Sequence, residues 1–173
     1  MQTLYLAGPE VFLTNALSVL SDAKKLCESF GYFALTPFDG EVTDKTKLAK
    51  ANQIFQENIS LIHRCDIVIA NCNPFRGACV DDGTAFEIGY AYAKGKLVFG
   101  YLNDNRSLPE IVKSKIRTKP HSSGYAIDGD GYLLNEDFGN SINLMLEFSI
   151  LGSGGSLVLG NLETVLKLLK TSK

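Results

Sequence analysis

Residues 66–102 read DIVIANCNPFRGACVDDGTAFEIGYAYAKGKLVFGYL, and the order of apolar and polar residues in this stretch indicates the class of fold. The runs DIVIAN (66–71) and KLVFGYL (96–102) are almost entirely apolar, as in strands that are covered on both faces. A turn-rich loop and an apolar helix separate the two runs. Strand, helix and strand in this order predict two neighbouring parallel strands.

The same alternation continues on both sides of this unit. Toward the N-terminus the pattern predicts strands at residues 3–7 and 32–37 and helices at residues 11–30 and 48–64, with Gly31 capping the first helix. Toward the C-terminus it predicts a short helix at 108–116, a turn at IDGDGY, a helix near 140–150, a short strand in SLVLG and a closing helix capped by Asn161. We therefore expect an α/β fold with a mainly parallel sheet, formed as one domain over residues 1–173.

The composition is that of an ordinary globular protein and argues against several classes. Of the 173 residues, 45% are apolar and 21% are charged, and the formal net charge is -2. Binding to nucleic acid or to a membrane surface is not indicated, because there is no long run of one charge. No apolar run reaches the length of a membrane span. The first residues, MQTLYLAG, predict a strand rather than a signal peptide, so a cytoplasmic protein is expected.

The four cysteines do not form a metal-binding pattern. Cys27, Cys65, Cys72 and Cys79 include no CxxC pair, and the chain has only two histidines. No zinc site is expected, and no cofactor is indicated. In a reducing compartment these residues are most simply free thiols that pack as small apolar side chains.

A glutamate interrupts the apolar helix that follows Asp81 and Asp82. Glu87 has aromatic and aliphatic neighbours, and a spacing of four residues places it on the same helix face as Gly83. Because Gly83 has no side chain, a ligand can approach Glu87 closely over it. The alternative is a solvent-facing Glu87 with Asp82 as a simple N-cap. The apolar neighbours argue against this alternative, since a carboxylate beside apolar walls needs a partner or a function.

Three loops are expected to meet at one edge of the sheet, near this glutamate. Ligands of open α/β sheets bind at the carboxyl ends of the strands. In this chain the loops at those ends are AGPEVF, which contains Gly8, TPFDGEV and NCNPFRGACVDDG. Two carboxylates beside one cleft suit glycosidic chemistry, in which one attacks the anomeric carbon and the other assists the leaving group. Tyr5, near the end of the first strand, is a candidate to hold such a carboxylate by a hydrogen bond; the alternative is a packed strand tyrosine.

Four segments carry a resemblance to a known family. LYLAGPEVF, NISLIHRCDIVIANCNPFRG, DDGTAFEIGYAYAKGK and NLML occur in this order over residues 4–146. Together they resemble the nucleoside 2-deoxyribosyltransferase family, and PFRG followed by DDGTAFE is the specific part. The resemblance implies a flavodoxin-like, three-layer fold with a five-stranded parallel sheet. It also implies exchange of the base on a 2′-deoxynucleoside through a covalent deoxyribosyl–enzyme intermediate, with nucleosides and nucleobases as small-molecule partners.

The resemblance assigns roles to individual residues. It places the nucleophile at Glu87, the carboxylate that assists the departing base at Asp81, and the tyrosine that orients the nucleophile at Tyr5. It places at Asn143 the asparagine that reaches into a neighbouring subunit's site and binds the sugar 5′-hydroxyl, with Met145 on the same wall. A homo-oligomer is therefore implied.

One position departs from the family pattern. Some members have an aspartate that contacts the base eight residues before the residue equivalent to Asp66, and this chain has Asn58 there. An amide both donates and accepts hydrogen bonds, whereas an ionised carboxylate only accepts, so the resemblance leaves the base preference open. Arg76, in the third loop, is either a ligand contact or an exposed loop residue.

Two other functions remain open from the sequence. Capture of the same intermediate by water would make the protein a hydrolase of deoxynucleosides or of their 5′-monophosphates, although no clear phosphate clamp accompanies Asn143. Outside enzymes, the alternative is a non-catalytic nucleoside-binding domain, since a fold does not dictate activity. The joint presence of Tyr5, Asp81, Glu87 and Asn143 argues against the second alternative.

Overall fold

A five-stranded parallel sheet forms the centre of the computed structural model, which describes residues 1–43 and 46–171. The strands are β1 (Thr3–Ala7), β2 (Phe33–Leu35), β3 (Ile67–Asn71), β4 (Leu97–Leu102) and, last in the chain, β7 (Leu157–Leu159). Their order is β2-β1-β3-β4-β7, and every pair is parallel. This is the strand order of flavodoxin-like folds, so the predicted fold class is confirmed.

Helices cover both faces of the sheet. One layer contains α2 (Lys47–Arg64), α3 (Asp82–Ala93) and α5 (Leu144–Gly152), and the other contains α1 (Ala16–Ser29) and α6 (Leu162–Thr171). Alternate strand residues point to opposite layers: Tyr5 packs in the first core, and Leu4 in the second. Burial on both faces explains the continuous apolar runs of the strands. Within the described ranges, no helix is both long enough and apolar enough to cross a membrane.

The first helix is shorter than predicted. Residues Pro9–Phe12 form a separate 3-10 turn, and α1 begins only after Asn15, whose φ of -112° and ψ of 28° are not helical. The predicted C-terminal cap is confirmed. Gly31 has a φ of 86°, and its N–H and that of the next residue donate to carbonyls of the last turn at 2.9 and 3.0 Å.

The polar segment after β4 contains a hairpin that the sequence pattern did not predict. It consists of β5 (Thr118–Pro120) and β6 (Ala126–Asp128), which pair antiparallel. Each strand has only three residues, too few for an alternating pattern to stand out. The turn predicted at IDGDGY is confirmed, because the Asp128 side chain accepts from the backbone N–H groups of residues 130 and 132 at 3.0 and 2.9 Å.

The C-terminal elements follow the prediction, with one shift. Helix α4 (Leu108–Lys115), β7 and α6 lie where expected, and Asn161 Oδ1 accepts from the Thr164 N–H at 3.2 Å. Helix α5 begins at residue 144 rather than near 140, because the Asn143 side chain caps it by accepting from the Met145 N–H at 3.0 Å.

Candidate active site

A cavity of about 630 Å³ lies at the carboxyl edge of the sheet, near the ends of β1 and β3. In this strand order the connections reverse direction between β1 and β3, which is where flavodoxin-like proteins bind ligands. All three predicted loops contribute, through residues such as Gly8, Phe38 and Asp81. The polar lining comes mainly from α2 and α3: Lys50, Asn58, Asp81, Thr84 and Glu87.

Helix α3 begins with Asp81 as its N-cap. Asp81 Oδ2 accepts from the backbone N–H of Thr84 at 2.9 Å and from the Thr84 hydroxyl at 3.0 Å. The alternative in which Asp82 caps this helix is wrong, because the Asp81 side chain makes the capping hydrogen bond and Asp82 is already helical and exposed. Asp81 is only 6% exposed, and its Oδ1 accepts no hydrogen bond from the described residues. One carboxylate oxygen is thus anchored while the other is left for a ligand.

Glu87 lies farther along α3, and its side chain is buried. It is 9% exposed, so the alternative of a solvent-facing glutamate is wrong. The hydroxyl of Tyr5, fully buried in β1, donates to Glu87 Oε1 at 2.6 Å. Tyr5 is therefore both a packed strand tyrosine and a partner of the carboxylate. Glu87 Oε2 accepts no hydrogen bond within the described part of the chain, so it retains lone pairs for chemistry.

Burial dominates the electrostatics of this pair. It raises the pKa of Glu87 to about 7; the hydrogen bond from Tyr5 opposes the shift, and the negative charge of Asp81 adds to it. Burial, reinforced by Glu87, also raises the pKa of Tyr5, so the phenol keeps its proton and acts as the donor. Near neutral pH Glu87 is therefore present in both forms, and its poorly solvated anion is the form suited to attack an electrophilic carbon.

The other predicted binding residues of the cavity are also in its wall. Asn58 lines it from α2, and its Oδ1 is buried without a hydrogen-bond partner in the described residues. Gly83 and Gly8 line it as well. A Cβ at Gly83 would lie 3.2 Å from Asp81 Oδ2, and one at Gly8 would lie 3.0 Å from the Asn71 Cβ and closer still to the Glu10 carboxylate. Neither position therefore has free room for a side chain.

The remaining two predicted residues lie outside this cavity. Asn143 lines a separate cleft of about 240 Å³ beside the start of α3, and Met145 is 68% exposed. A single chain therefore does not bring Asn143 or Met145 to Glu87. Their contribution to another subunit's site stays a prediction.

Two aromatic residues of the cavity were missed by the sequence analysis. Phe12 and Phe38 line it from the loops after β1 and β2, and their rings are 55% and 46% exposed. An aromatic residue in each loop that follows a predicted strand was the available signal. Arg76 is exposed with a φ of 47°, and its guanidinium lies 4.7 Å from the ring centre of Phe75 and 5.2 Å from that of Phe12. It supports Phe12 and does not itself line the cavity.

The fold and the site together define an α/β protein with a carboxylate-bearing cavity at the switch point of its sheet. The chain matches the model of the family described as Nucleoside 2-deoxyribosyltransferase over residues 4–145, most of its length. It belongs to this family and is an enzyme of it.

Individual relatives agree with this assignment. A 2-desoxiribosyltransferase from Leishmania mexicana has the same fold, with a TM-score of 0.74 and 29% identity over 99% of this chain and 98% of that one. A 2-deoxyribosyltransferase from Bacillus psychrosaccharolyticus is 21% identical with a TM-score of 0.50, covering 69% of this chain and 86% of that one, and supports the fold alone. An uncharacterized protein of Schizosaccharomyces pombe is 36% identical over 88% of this chain and 78% of its own length.

Proposed function

We propose that the protein exchanges the base of 2′-deoxynucleosides through a covalent deoxyribosyl intermediate on Glu87. The observation that carries this proposal is the buried Glu87 carboxylate, held by Tyr5 at 2.6 Å beside the capping Asp81. With its pKa raised to about 7, Glu87 is divided between the protonated form and the reactive anion at neutral pH. Family membership and the similarity to the 2-desoxiribosyltransferase from Leishmania mexicana support the same reaction.

In the first displacement, Glu87 Oε2 attacks C1′ of the deoxyribose on the face opposite the base. The C1′–N bond breaks, its electron pair goes to the base nitrogen, and Asp81 supplies a proton or a hydrogen bond to the departing base. Tyr5, bound to Oε1, keeps Oε2 aimed at the sugar. The two carboxyl groups also stabilise the cationic character of the sugar in the transition state.

In the second displacement, a nitrogen of the incoming base attacks C1′ and the ester bond to Glu87 breaks. Asp81 takes the proton that the incoming nitrogen loses, so the site returns to its starting state. Two inversions at C1′ give overall retention. Water in place of the second base would complete a hydrolysis by the same route.

The base is recognised by Asn58 and the aromatic wall. The buried, unpartnered Asn58 Oδ1 provides an acceptor for an N–H group of the base. The amide also carries N–H donors, so it suits bases that present either an amino or a carbonyl group. The exposed rings of Phe12 and Phe38 offer a surface against which a planar base packs.

We further propose that Asn143 and Met145 complete the site of a neighbouring subunit in a homo-oligomer. Both are exposed near the start of α5, and Phe148 of the same helix is 63% exposed. Met145 and Phe148 of α5 and Phe86 of α3 are exposed large apolar side chains, which are common at protein–protein contacts. The three buried free cysteines fit a reducing cytoplasm, where this exchange serves nucleotide salvage.

The test is a matrix of donor deoxynucleosides and acceptor bases, with chromatographic identification of the products for the wild type and Glu87→Ala. New deoxynucleosides that form only when both donor and acceptor are present, and that disappear with Glu87→Ala, are the expected result. Release of deoxyribose at the same rate with and without acceptor would assign the hydrolase instead. Near-normal exchange by Glu87→Ala would refute Glu87 as the nucleophile.

A further inference from the structure

A carboxylate of the chain occupies the N-terminus of α5. Glu136 Oε1 accepts from the backbone N–H of Leu144 and from Asn140 Nδ2, the latter at 2.7 Å, and its Oε2 accepts from Asn143 Nδ2 at 2.8 Å. The next backbone N–H, of Met145, donates to Asn143 Oδ1 at 3.0 Å. Free N–H groups at a helix start are a ready site for phosphate. At α5 this site is already filled by Glu136.

The same contacts orient the side-chain amide of Asn143. Its Oδ1 is engaged by the Met145 N–H and one Nδ2 hydrogen by Glu136, which leaves one N–H and one lone pair on an exposed side chain. A free hydroxyl group matches this pair, because it both donates and accepts. A phosphate monoester matches it poorly, because as a dianion it only accepts.

The charges around Asn143 also favour a hydroxyl group over a phosphate at this position. Asp82 lines the cleft of Asn143, and Glu147 lies nearby, accepting from the Ser141 N–H at 3.0 Å. Among the described residues that line this cleft there is no lysine or arginine. Within this chain's own cleft, a dianion brought to Asn143 would therefore meet carboxylates without a lysine or arginine beside them.

We propose that Glu136 sets the specificity at the 5′ end of the substrate. It positions Asn143 to bind a free 5′-hydroxyl in the neighbouring subunit, and its charge and position exclude a 5′-phosphate. Glu136 is thus a positioning residue that makes the enzyme selective for nucleosides over nucleoside 5′-monophosphates. This inference rests on the proposed function, through the role of Asn143 at the 5′ end.

The experiment compares three donors in an adenine and a thymine series: the 2′-deoxynucleoside, its 2′,5′-dideoxy analogue and its 5′-monophosphate. For Glu136→Gln we expect KM for the 2′-deoxynucleoside to rise about tenfold with a smaller change in kcat, the size of one lost oriented hydrogen bond. The 2′,5′-dideoxy analogue should react as with the wild type, because it lacks the group that Asn143 contacts. The 5′-monophosphate should gain about tenfold in kcat/KM as the repulsion is removed.

Two further variants separate the roles of charge and position. Glu163→Gln removes a carboxylate from the first turn of α6 and serves as the matched control, with no change expected in any ratio. Glu136→Asp keeps the charge but is shorter, so it should weaken the 2′-deoxynucleoside and still reject the 5′-monophosphate. Thermal unfolding identifies a variant that fails to fold, in which case the other position-136 variant decides the question.

The outcomes distinguish this inference from the proposed function. If Glu136→Gln loses equal activity with the 2′-deoxynucleoside and with its 2′,5′-dideoxy analogue, Glu136 has a purely structural role and the inference is overturned. Equal use of nucleosides and 5′-monophosphates by the wild type would overturn it too, while leaving base exchange intact. Failure of the wild type to turn over any 2′-deoxynucleoside would instead defeat the proposed function, and this inference with it.

Discussion

Two tyrosine–glutamate pairs lie on opposite faces of the sheet. Tyr5 donates to Glu87 at 2.6 Å on the side of α2 and α3, and Tyr101 donates to Glu10 at 3.2 Å on the side of α1 and α6. Each carboxylate lines a cavity, of about 630 Å³ for Glu87 and about 360 Å³ for Glu10. In both pairs burial, reinforced by the glutamate, raises the pKa of the tyrosine.

The pairs differ in the number of hydrogen bonds that the carboxylate accepts. Glu10 accepts a second hydrogen bond, from Asn71 Nδ2 at 2.6 Å, whereas Glu87 has only Tyr5 among the described side chains and lies beside the carboxylate of Asp81. A carboxylate with two donors is stabilised as a structural link. One that is buried with a single donor keeps a raised pKa and an available oxygen. The surroundings, rather than the residue types, decide which pair carries the chemistry.

The largest expected effect comes from neutralising the two glutamates separately. Glu87→Gln should lower kcat/KM for base exchange at least about a thousandfold, because an amide oxygen is a poor nucleophile at this carbon. Glu10→Gln should keep the activity within about threefold, since its carboxylate only links Asn71 and Tyr101. Equal losses in the steady-state rates of the two variants would erase the distinction between the pairs.

The second effect is on stability as a function of pH. The pKa of Glu87 is 4.5 ordinarily and about 7 in the folded protein, so the folded state holds this proton more tightly than the unfolded state. The stability that the folded protein gains from binding this proton is therefore fully present below pH 4.5 and is lost as the pH rises through about 7. The unfolding free energy of the wild type relative to Glu87→Gln should fall by about 3 kcal/mol across this range. Urea titrations at a series of pH values measure this difference, and parallel curves would contradict the raised pKa.

A third effect should appear in the pH profile of Tyr5→Phe. In the wild type kcat/KM should reach half its maximum near the pKa of Glu87, about 7, because only the ionised form attacks. Removing the hydrogen bond from Tyr5 takes away an interaction that lowers this pKa, so the acid limb should move up by about one pH unit. At pH 6 the variant should be about tenfold less active than the wild type. A profile with a lower maximum but an unmoved acid limb would show that Tyr5 does not affect the pKa of Glu87.

The smallest effect is expected for Tyr101→Phe. Glu10 keeps its bond from Asn71, so the loss of stability should be about 1 kcal/mol, typical of one hydrogen bond. The pH profile of the activity should not move. Urea unfolding and the same kinetic series provide the measurement, and a shifted acid limb would mean that the two faces of the sheet are coupled.

Local pattern was sufficient for most of the fold and for the identity of the central site residues. The apolar strands, the cap at Gly31 and the apolar context of Glu87 depend on neighbours within a few positions, so they are visible in sequence. The failures were also local. The three-residue strands β5 and β6 are too short to show a period. The adjacent aspartates Asp81 and Asp82 are equally suitable as caps in the sequence, and only the backbone conformation distinguishes them.

The sequence by itself determined the strand–helix alternation, the resemblance to the deoxyribosyltransferase family and the candidates Tyr5, Asp81 and Glu87. Only the tertiary structure decided that the hydroxyl of Tyr5 reaches Glu87 across 82 positions of the chain, that Asn143 lies outside this cavity, and that Glu136 fills the start of α5. A periodic pattern specifies which face of its own element a side chain occupies. The distance between two faces depends on strand order and layer packing, which are properties of the whole chain.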